Sequence, residues 1–413
     1  MKVYKFGGAS VKDAEGVRNI SQLLLDEGAE PLAIVVSAMG KTTNMLEKVV
    51  NDYYANNSPT LDEVKHYHYA ILEELFDKSH SIFDEVNNLF VEIEWAIEDA
   101  PTSTFAYEYD QIVSVGELLS TKIVSAFLEQ EGFANKWIDA RDIIRTNNTY
   151  RNARIDWQLT QQQIAKHISN NEVFLTQGFI GCTTENFTTT LGREGSDFTA
   201  AILAFTLDAE EVTIWKDVDG MLNADPRYFD DAKLLHQLSF AEAIELAYFG
   251  AKVIHPKTIQ PMKEKNISLR VKSFLNPKEE GTVIFEDAEM KPFMPSFIIK
   301  ENQILISISA NDLSFIVEDH LSYIFSLFAK YGLAINMMQN SAVSFSVCVD
   351  NDSQKTLPLI SELKEGFKVQ YNDQLRLCTI RHYDQAAIDK VVDEKNILVE
   401  QKSRQTIQFV FSN

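Results

Sequence analysis

Cysteine is scarce in this chain: Cys182, Cys348 and Cys378 stand far apart in 413 residues. Three such thiols make neither a disulfide framework nor a zinc pattern, and they fit a reducing cytoplasm. Cations are short as well. With 38 Lys and Arg against 60 Asp and Glu, the formal charge is −22. Nucleic acid and anionic membranes reward clustered Lys and Arg, so the balance argues against both as partners. No apolar run reads as long enough to span a bilayer. No signal peptide is expected either, because Lys5 and two glycines interrupt the first apolar stretch. A soluble cytoplasmic protein is the expectation.

What is present is ample apolar material, 45% of the residues, in a chain long enough for two or three domains. An acidic protein that binds anionic substrates must gather its few cations locally. Each Lys or Arg beside a glycine turn is therefore informative. Lys2-Val3-Tyr4-Lys5-Phe6-Gly7-Gly8-Ala9-Ser10-Val11 is such a place. A short strand carries Lys5, breaks at two glycines and enters a helix whose Val17, Ile20 and Leu24 share one face before Gly28 stops it. Leu32 to Val36 is the next strand, so the unit is βαβ and the sheet parallel. Backbone N–H groups and a helix N-terminus at the first turn can cradle an anion, with Lys5 adding a full charge. A plain strand-to-helix turn with a surface lysine would look the same locally.

Gly40-Lys41-Thr42 resembles the end of a P-loop, but Val35 stands where that loop needs its first glycine. From Leu46 to about Glu98 the chain reads helical, with polar breaks around Asn56 to Pro59 and Phe83, Phe90 and Trp95 as core. His66 and His68 are two apart and cannot share a helix face, so they form no metal site. Ile112 to Gln130 is another helix. Its Glu117 is either a solvated face residue or, since Leu118 and Leu119 follow, a buried carboxylate with a task. Val173 to Thr176 is a strand, followed by a hairpin-like stretch and a second glycine-rich turn, Gly192-Arg193-Glu194-Gly195-Ser196-Asp197. Ser196 and Asp197 suit a helix N-cap, and Arg193 offers a planar fork for a carboxylate or phosphate. Val212 to Trp215 is a buried strand running into Lys216-Asp217-Val218-Asp219-Gly220. A last strand covers Ser268 to Phe274, and Pro277 and Gly281 close the domain. Beyond, strands at Ile304–Ser309, Val343–Val349, Leu375–Ile380 and Ile407–Phe411 alternate with helices. The pattern suggests two small α+β units without a charged glycine turn, so catalysis belongs before about residue 285.

In order along the chain, Lys5-Phe6-Gly7-Gly8-Ala9-Ser10-Val11, Val36-Ser37-Ala38, Gly116-Glu117, Leu191 to Asp197, Asp217-Val218-Asp219-Gly220, Ala224-Asp225-Pro226-Arg227 and Phe249 to Pro256 resemble the motifs of aspartokinases. The resemblance covers nearly the whole chain. It implies an α/β amino-acid-kinase fold over 1–285, with a largely parallel sheet sandwiched by helices. Two ferredoxin-like ACT modules would follow over 296–413, the second apparently short of its final helix. It also implies ATP-dependent phosphorylation of L-aspartate to 4-phospho-L-aspartate, the committed step toward lysine, threonine and methionine. Such transfer is mostly positioning and charge neutralisation, and a carboxylate nucleophile needs no general base.

By the same resemblance, Lys5, Gly7, Gly8 and Ser10 would hold the ATP phosphates, with Mg²⁺ arriving mainly on those phosphates. Arg193 would clamp the aspartate α-carboxylate and Glu117 its ammonium, with Ser37, Thr43, Ser196 and Asp197 completing the pocket. Lys216, Asp217, Arg227 and Lys252 would surround the nucleotide, Lys252 stabilising the transferring group. Dimerisation through the ACT modules and a lysine or threonine effector are also implied. There are departures. Ala9 stands for a usual threonine, Glu194 for a usual glycine, Leu222 for a usual tyrosine, and Lys216 for a frequent threonine. The loop Asn311 to Glu318 lacks the glycine that usually precedes the effector-site helix. Two alternatives stand beside this reading: a related kinase acting on glutamate, uridylate or carbamate, and a catalytically weak amino-acid sensor.

Overall fold

The computed structural model describes residues 1–28, 31–169, 171–251, 254–312, 314–392 and 396–412. They divide into two compact units. One is Met1–Met221 with Leu234–Ile244 and Val253–Lys291, the other Leu222–Lys233 with Glu245–Lys252 and Pro292–Asn413.

The strands of the first unit are β1 (Lys2–Phe6), β2 (Leu32–Val36), β3 (Lys136–Ile138), β4 (Val173–Gln177), β5 (Ile180–Cys182), β6 (Thr188–Thr190), β7 (Glu211–Lys216), β8 (Gln237–Ser239), β9 (Ser268–Ser273) and β10 (Thr282–Phe285). Eight of them form one sheet in the order β3-β4-β2-β1-β7-β9-β10-β8, and β5 and β6 make a separate hairpin. Only the β9–β10 pairing is antiparallel within the larger sheet. Gly281, read from sequence as closing the domain, instead turns with φ +69° into β10. β2 is buried along its whole length and β1 nearly so, as expected of parallel strands covered on both faces.

Around this sheet lie α1 (Ala14–Glu27), α2 (Thr42–Tyr54), α3 (Asp62–Leu75), α4 (Ile82–Ala96), α5 (Phe105–Val113), α6 (Val115–Gln130), α7 (Ala140–Ile143), α8 (Trp157–His167), α9 (Gly195–Thr206), α10 (Phe240–Phe249) and α11 (Pro256–Glu264). Strand alternation sorts their contacts. Tyr4 and Phe6 of β1 enter the core made with α1, α4 and α6, where Trp215 lies 6.1 Å from Phe6 and nearly parallel to it. Lys5 therefore faces the other way, toward α9. α1 is capped by Asp13, whose carboxylate accepts from the Gly16 N–H, and ends at Gly28 with φ +87°. Trp95, expected in the core, is 72% exposed. α4 buries Ile82, Val86, Phe90 and Ile93, and Trp95 falls off that stripe. The run Phe105–Gln130 is long and apolar enough to cross a membrane by length and composition, contrary to the expectation from sequence. It is two helices meeting at Ser114, and 83% of its most apolar window is buried inside the protein.

The second unit carries one antiparallel sheet of β11 (Ser296–Ala310), β12 (Ile335–Asn340), β13 (Ser344–Asp350), β14 (Phe367–Arg381), β15 (Asn396–Lys402) and β16 (Thr406–Ser412), in the order β12-β13-β11-β14-β16-β15. With it go α12 (Glu318–Lys330), α13 (Ser353–Gly366) and α14 (Gln385–Val392). The two α+β modules share this sheet. β11 and β14, each 15 residues long, pair along both halves, with register shifts between Lys300 and Leu305. Ile306 and Ile308 serve a core under α12 and α13, while Phe297 serves another under α14.

Candidate active site

Parallel strands deliver their loops to one edge of the sheet, and ligands bind in the crevice beyond the carboxyl ends. Here the ends of β1, β2 and β7, the hairpin β5–β6 and the start of α9 enclose a cavity of about 490 Å³. Of the residues singled out from sequence, Lys5, Gly8, Ser37, Thr43, Glu117, Arg193, Ser196, Asp197 and Lys216 line it. Gly7, Ser10 and Asp217 do not. Arg227 lies in the second unit, its guanidinium 2.5 Å from Asp225 and its side chain 71% exposed. Lys252 lies outside the described residues.

Lys5 is the buried cation. It is 8% exposed, and its Nζ lies 2.6 Å from Asp197 Oδ1 at the first turn of α9. Lys216, at the end of β7, approaches the other oxygen of Asp197 at 3.9 Å. One carboxylate thus holds two ammonium groups at the edge of the sheet. The glycine turn after β1 is needed for close approach. A Cβ at Gly8 would sit 2.8 Å from the Ala38 carbonyl oxygen and 2.9 Å from that of Gly40, both backbone. Gly8→Ala must therefore shift the turn by several tenths of an ångström.

Glu117 is the buried anion. It opens α6, is 2% exposed, and its Oε2 has no hydrogen-bond partner among the described residues. Burial pushes its pKa up to about 8, against a smaller downward pull from the amides of Glu117 and Ala38. A buried carboxylate with an unused oxygen facing a cavity is poised for a cationic ligand group. Arg193 stands at the rim, exposed, and makes no hydrogen bond or ion pair among the described residues. Glu194 beside it adopts φ +53°, ψ +29°, the left-handed region, which accounts for the glycine usual at this place. On the far side of this turn, a Cβ at Gly178 would meet that of Ser196 at 2.4 Å, so α9 packs directly on the chain after β4.

Sequence reasoning missed Tyr109, Arg151, Phe179 and Thr190, which also line the cavity. Asp110, fully buried and with its pKa raised to about 6 by burial, accepts from the Arg151 N–H, the Thr190 N–H and the Thr190 hydroxyl. Nothing local in the sequence marks these residues, because the wall is assembled from segments 40 and 80 positions apart. His68 is fully buried, its Nδ1 2.8 Å from the Val64 carbonyl oxygen. It is a packing residue, as expected.

Comparison with known proteins follows the same lines. The model of the amino acid kinase family matches residues 1–273. The lysine-sensitive aspartokinase 3 of Escherichia coli (strain K12) is 32% identical over 390 residues, covering 92% of this chain and 86% of that protein. A solved structure of E. coli aspartokinase III in complex with aspartate and ADP (R-state) matches at a TM-score of 0.82 and 29% identity, covering 100% of this chain and 96% of that one. Its complex with lysine and aspartate (T-state) matches at 0.83 and 29% identity, covering 99% and 95%.

Proposed function

The chain belongs to the amino acid kinase family and, within it, to the aspartokinases, and on that premise we propose that its cavity transfers the γ-phosphoryl group of ATP to the side-chain carboxylate of L-aspartate. The observation that carries the assignment of residues is the charge layout. A buried, unpartnered Glu117 oxygen, a free Arg193 fork at the rim and a Lys5–Asp197 pair at the strand edge match the three charged groups of aspartate and the incoming phosphate.

Glu117 takes the substrate ammonium, Arg193 the α-carboxylate, and Ser37, Thr43 and Ser196 fill the wall between. The β-carboxylate then faces Lys5. Its oxygen attacks the γ-phosphorus while the bond to the ADP oxygen breaks, and no proton need move, since the nucleophile is already ionised at neutral pH. Lys5, oriented by Asp197, neutralises charge shared by donor and acceptor, and Lys216 adds to the same field. Gly7, Gly8 and Ser10 provide the phosphate turn, with Asp217 assigned to the nucleotide. The described residues offer no set of three His, Cys, Asp or Glu side chains placed to hold a metal. Mg²⁺, held mainly by the ATP phosphates, would screen the charge the nucleophile must approach.

The second unit we take as the regulatory and dimerising part. Its open edge strands, β12 and β15, suit pairing with a second copy. The E. coli relative is lysine-sensitive. We propose the same kind of site here, for lysine or threonine, around the loop before α12, of which Leu313 lies outside the described residues. Three buried free thiols suit the cytoplasm, where we place the enzyme.

A proton count tests the pairing of Glu117 with the ammonium. With its pKa near 8, Glu117 is mostly protonated in the empty site at pH 7. A bound ammonium lowers that pKa, so aspartate binding should release most of a proton at pH 7. Affinity should weaken as pH falls below 8, by up to about tenfold per unit. Calorimetry in buffers of different ionisation enthalpy reads the release, and none would disprove the pairing. The function itself is tested by ADP release in a substrate panel. L-Aspartate should support turnover. N-acetyl-L-aspartate, which lacks the ammonium, should be poorer by about 10⁴. Equal turnover on both would point to another kinase of the family.

A further inference from the structure

We infer that Arg151 is a specificity-determining residue of this pocket, its guanidinium binding the substrate α-carboxylate together with Arg193. The inference rests on the aspartokinase reading of the cavity.

Arg151 has φ +66°, where a residue with a Cβ is strained. The strain is held in place by Asp110, whose carboxylate accepts the Arg151 N–H at 3.0 Å and ties the same loop to the Thr190 hydroxyl at 2.7 Å. Asp110 is fully buried, so this clamp is dry. The guanidinium carbon lies 4.2 Å from the centre of the Tyr109 ring, itself a wall of the cavity. One nitrogen, Nη2, reaches Glu47 Oε1 at 3.2 Å, and the side chain is 44% exposed. A guanidinium carries five donors; with Glu47 and Tyr109 engaging part of the fork, the remaining donors are available to a ligand.

Position decides which ligand group that is. The β-carboxylate must lie against Lys5 at the end of β1, and the ammonium against Glu117 inside. That leaves the α-carboxylate at the rim with Arg193. The loop of Arg151 adjoins it: a Cβ at Gly192 would meet the Arg151 carbonyl oxygen at 3.1 Å. Two arginines on touching loops line this one cavity. The pocket then selects α-amino acids with a free α-carboxylate more strongly than one arginine could.

The competing role is structural, Arg151 bracing α2 through Glu47. Arg151→Gly separates the two, because glycine keeps the left-handed backbone and the fold. We expect its KM for L-aspartate to rise roughly 10–100-fold with kcat little changed. The α-amide of L-aspartate, measured as a competitive inhibitor, should change its inhibition constant by less than about threefold on the same substitution. Glu47→Ala, which removes the brace but keeps the fork, should leave KM for aspartate unchanged or lower it. An unchanged KM in Arg151→Gly, an equal penalty on the α-amide, or a Glu47→Ala enzyme that reproduces the rise would each overturn the inference. A wild-type enzyme without aspartate-dependent turnover would instead overturn the reading of the site, and this inference with it.

Discussion

Lys5→Ala should lower kcat for aspartate-dependent phosphoryl transfer by about 10²–10³ or more. The size of the effect follows from position. Lys5 is buried, held 2.6 Å from Asp197, on the strand end where donor and acceptor must meet. Its ammonium group acts in a largely buried, preorganised setting, where it counts for more than in water. The substitution also leaves Asp197 buried without its closest cation, so some loss of melting temperature is expected. Lys5→Met, which keeps the stem, separates the two effects: it should retain aspartate binding by calorimetry and lose the rate. An alanine variant with wild-type kcat would remove Lys5 from the mechanism.

Glu117→Gln should raise the dissociation constant for aspartate by about 30-fold to several thousandfold, as expected for removing one partner of a buried ion pair. Glutamine keeps the shape and one acceptor, so the loss reports the charge. A second signature runs the other way. In the folded protein Glu117 titrates near 8, well above an unfolded carboxyl near 4.5. A raised pKa contributes stability that is full below the unfolded value and is lost as pH rises through the folded one. The empty wild-type protein should therefore lose melting temperature between about pH 4.5 and 8 relative to Glu117→Gln. A variant that binds aspartate normally, or that shows no relative change in melting temperature across that range, contradicts the assignment.

Much of the first unit was legible because its signals are local. Lys5-Phe6-Gly7-Gly8, the wholly apolar β2 and the glycine turn before α9 each announce themselves within about ten residues. The leucines after Glu117 left its burial open beside a solvated face. Its burial and its unused oxygen depend on α6 meeting the chain around Ala38. Arg151 and Thr190 were invisible for the same reason: Asp110, far from both in sequence, makes them neighbours. Trp95, expected in the core, falls off the stripe of Ile82, Val86, Phe90 and Ile93 that α4 buries. In the second unit the strands β11, β13, β14 and β16 were apparent while β12 and β15 were not, and no local signal shows that the long β11 and β14 join both modules in one sheet.

The most direct measurement is trapping of the product. Wild-type protein incubated with Mg·ATP, L-aspartate and hydroxylamine should yield aspartate β-hydroxamate in step with ADP, one for one, and neither without aspartate. ADP without hydroxamate, or no ADP from folded protein whose melting temperature still rises with aspartate, would contradict phosphorylation of the side-chain carboxylate and leave an amino-acid-binding protein in its place.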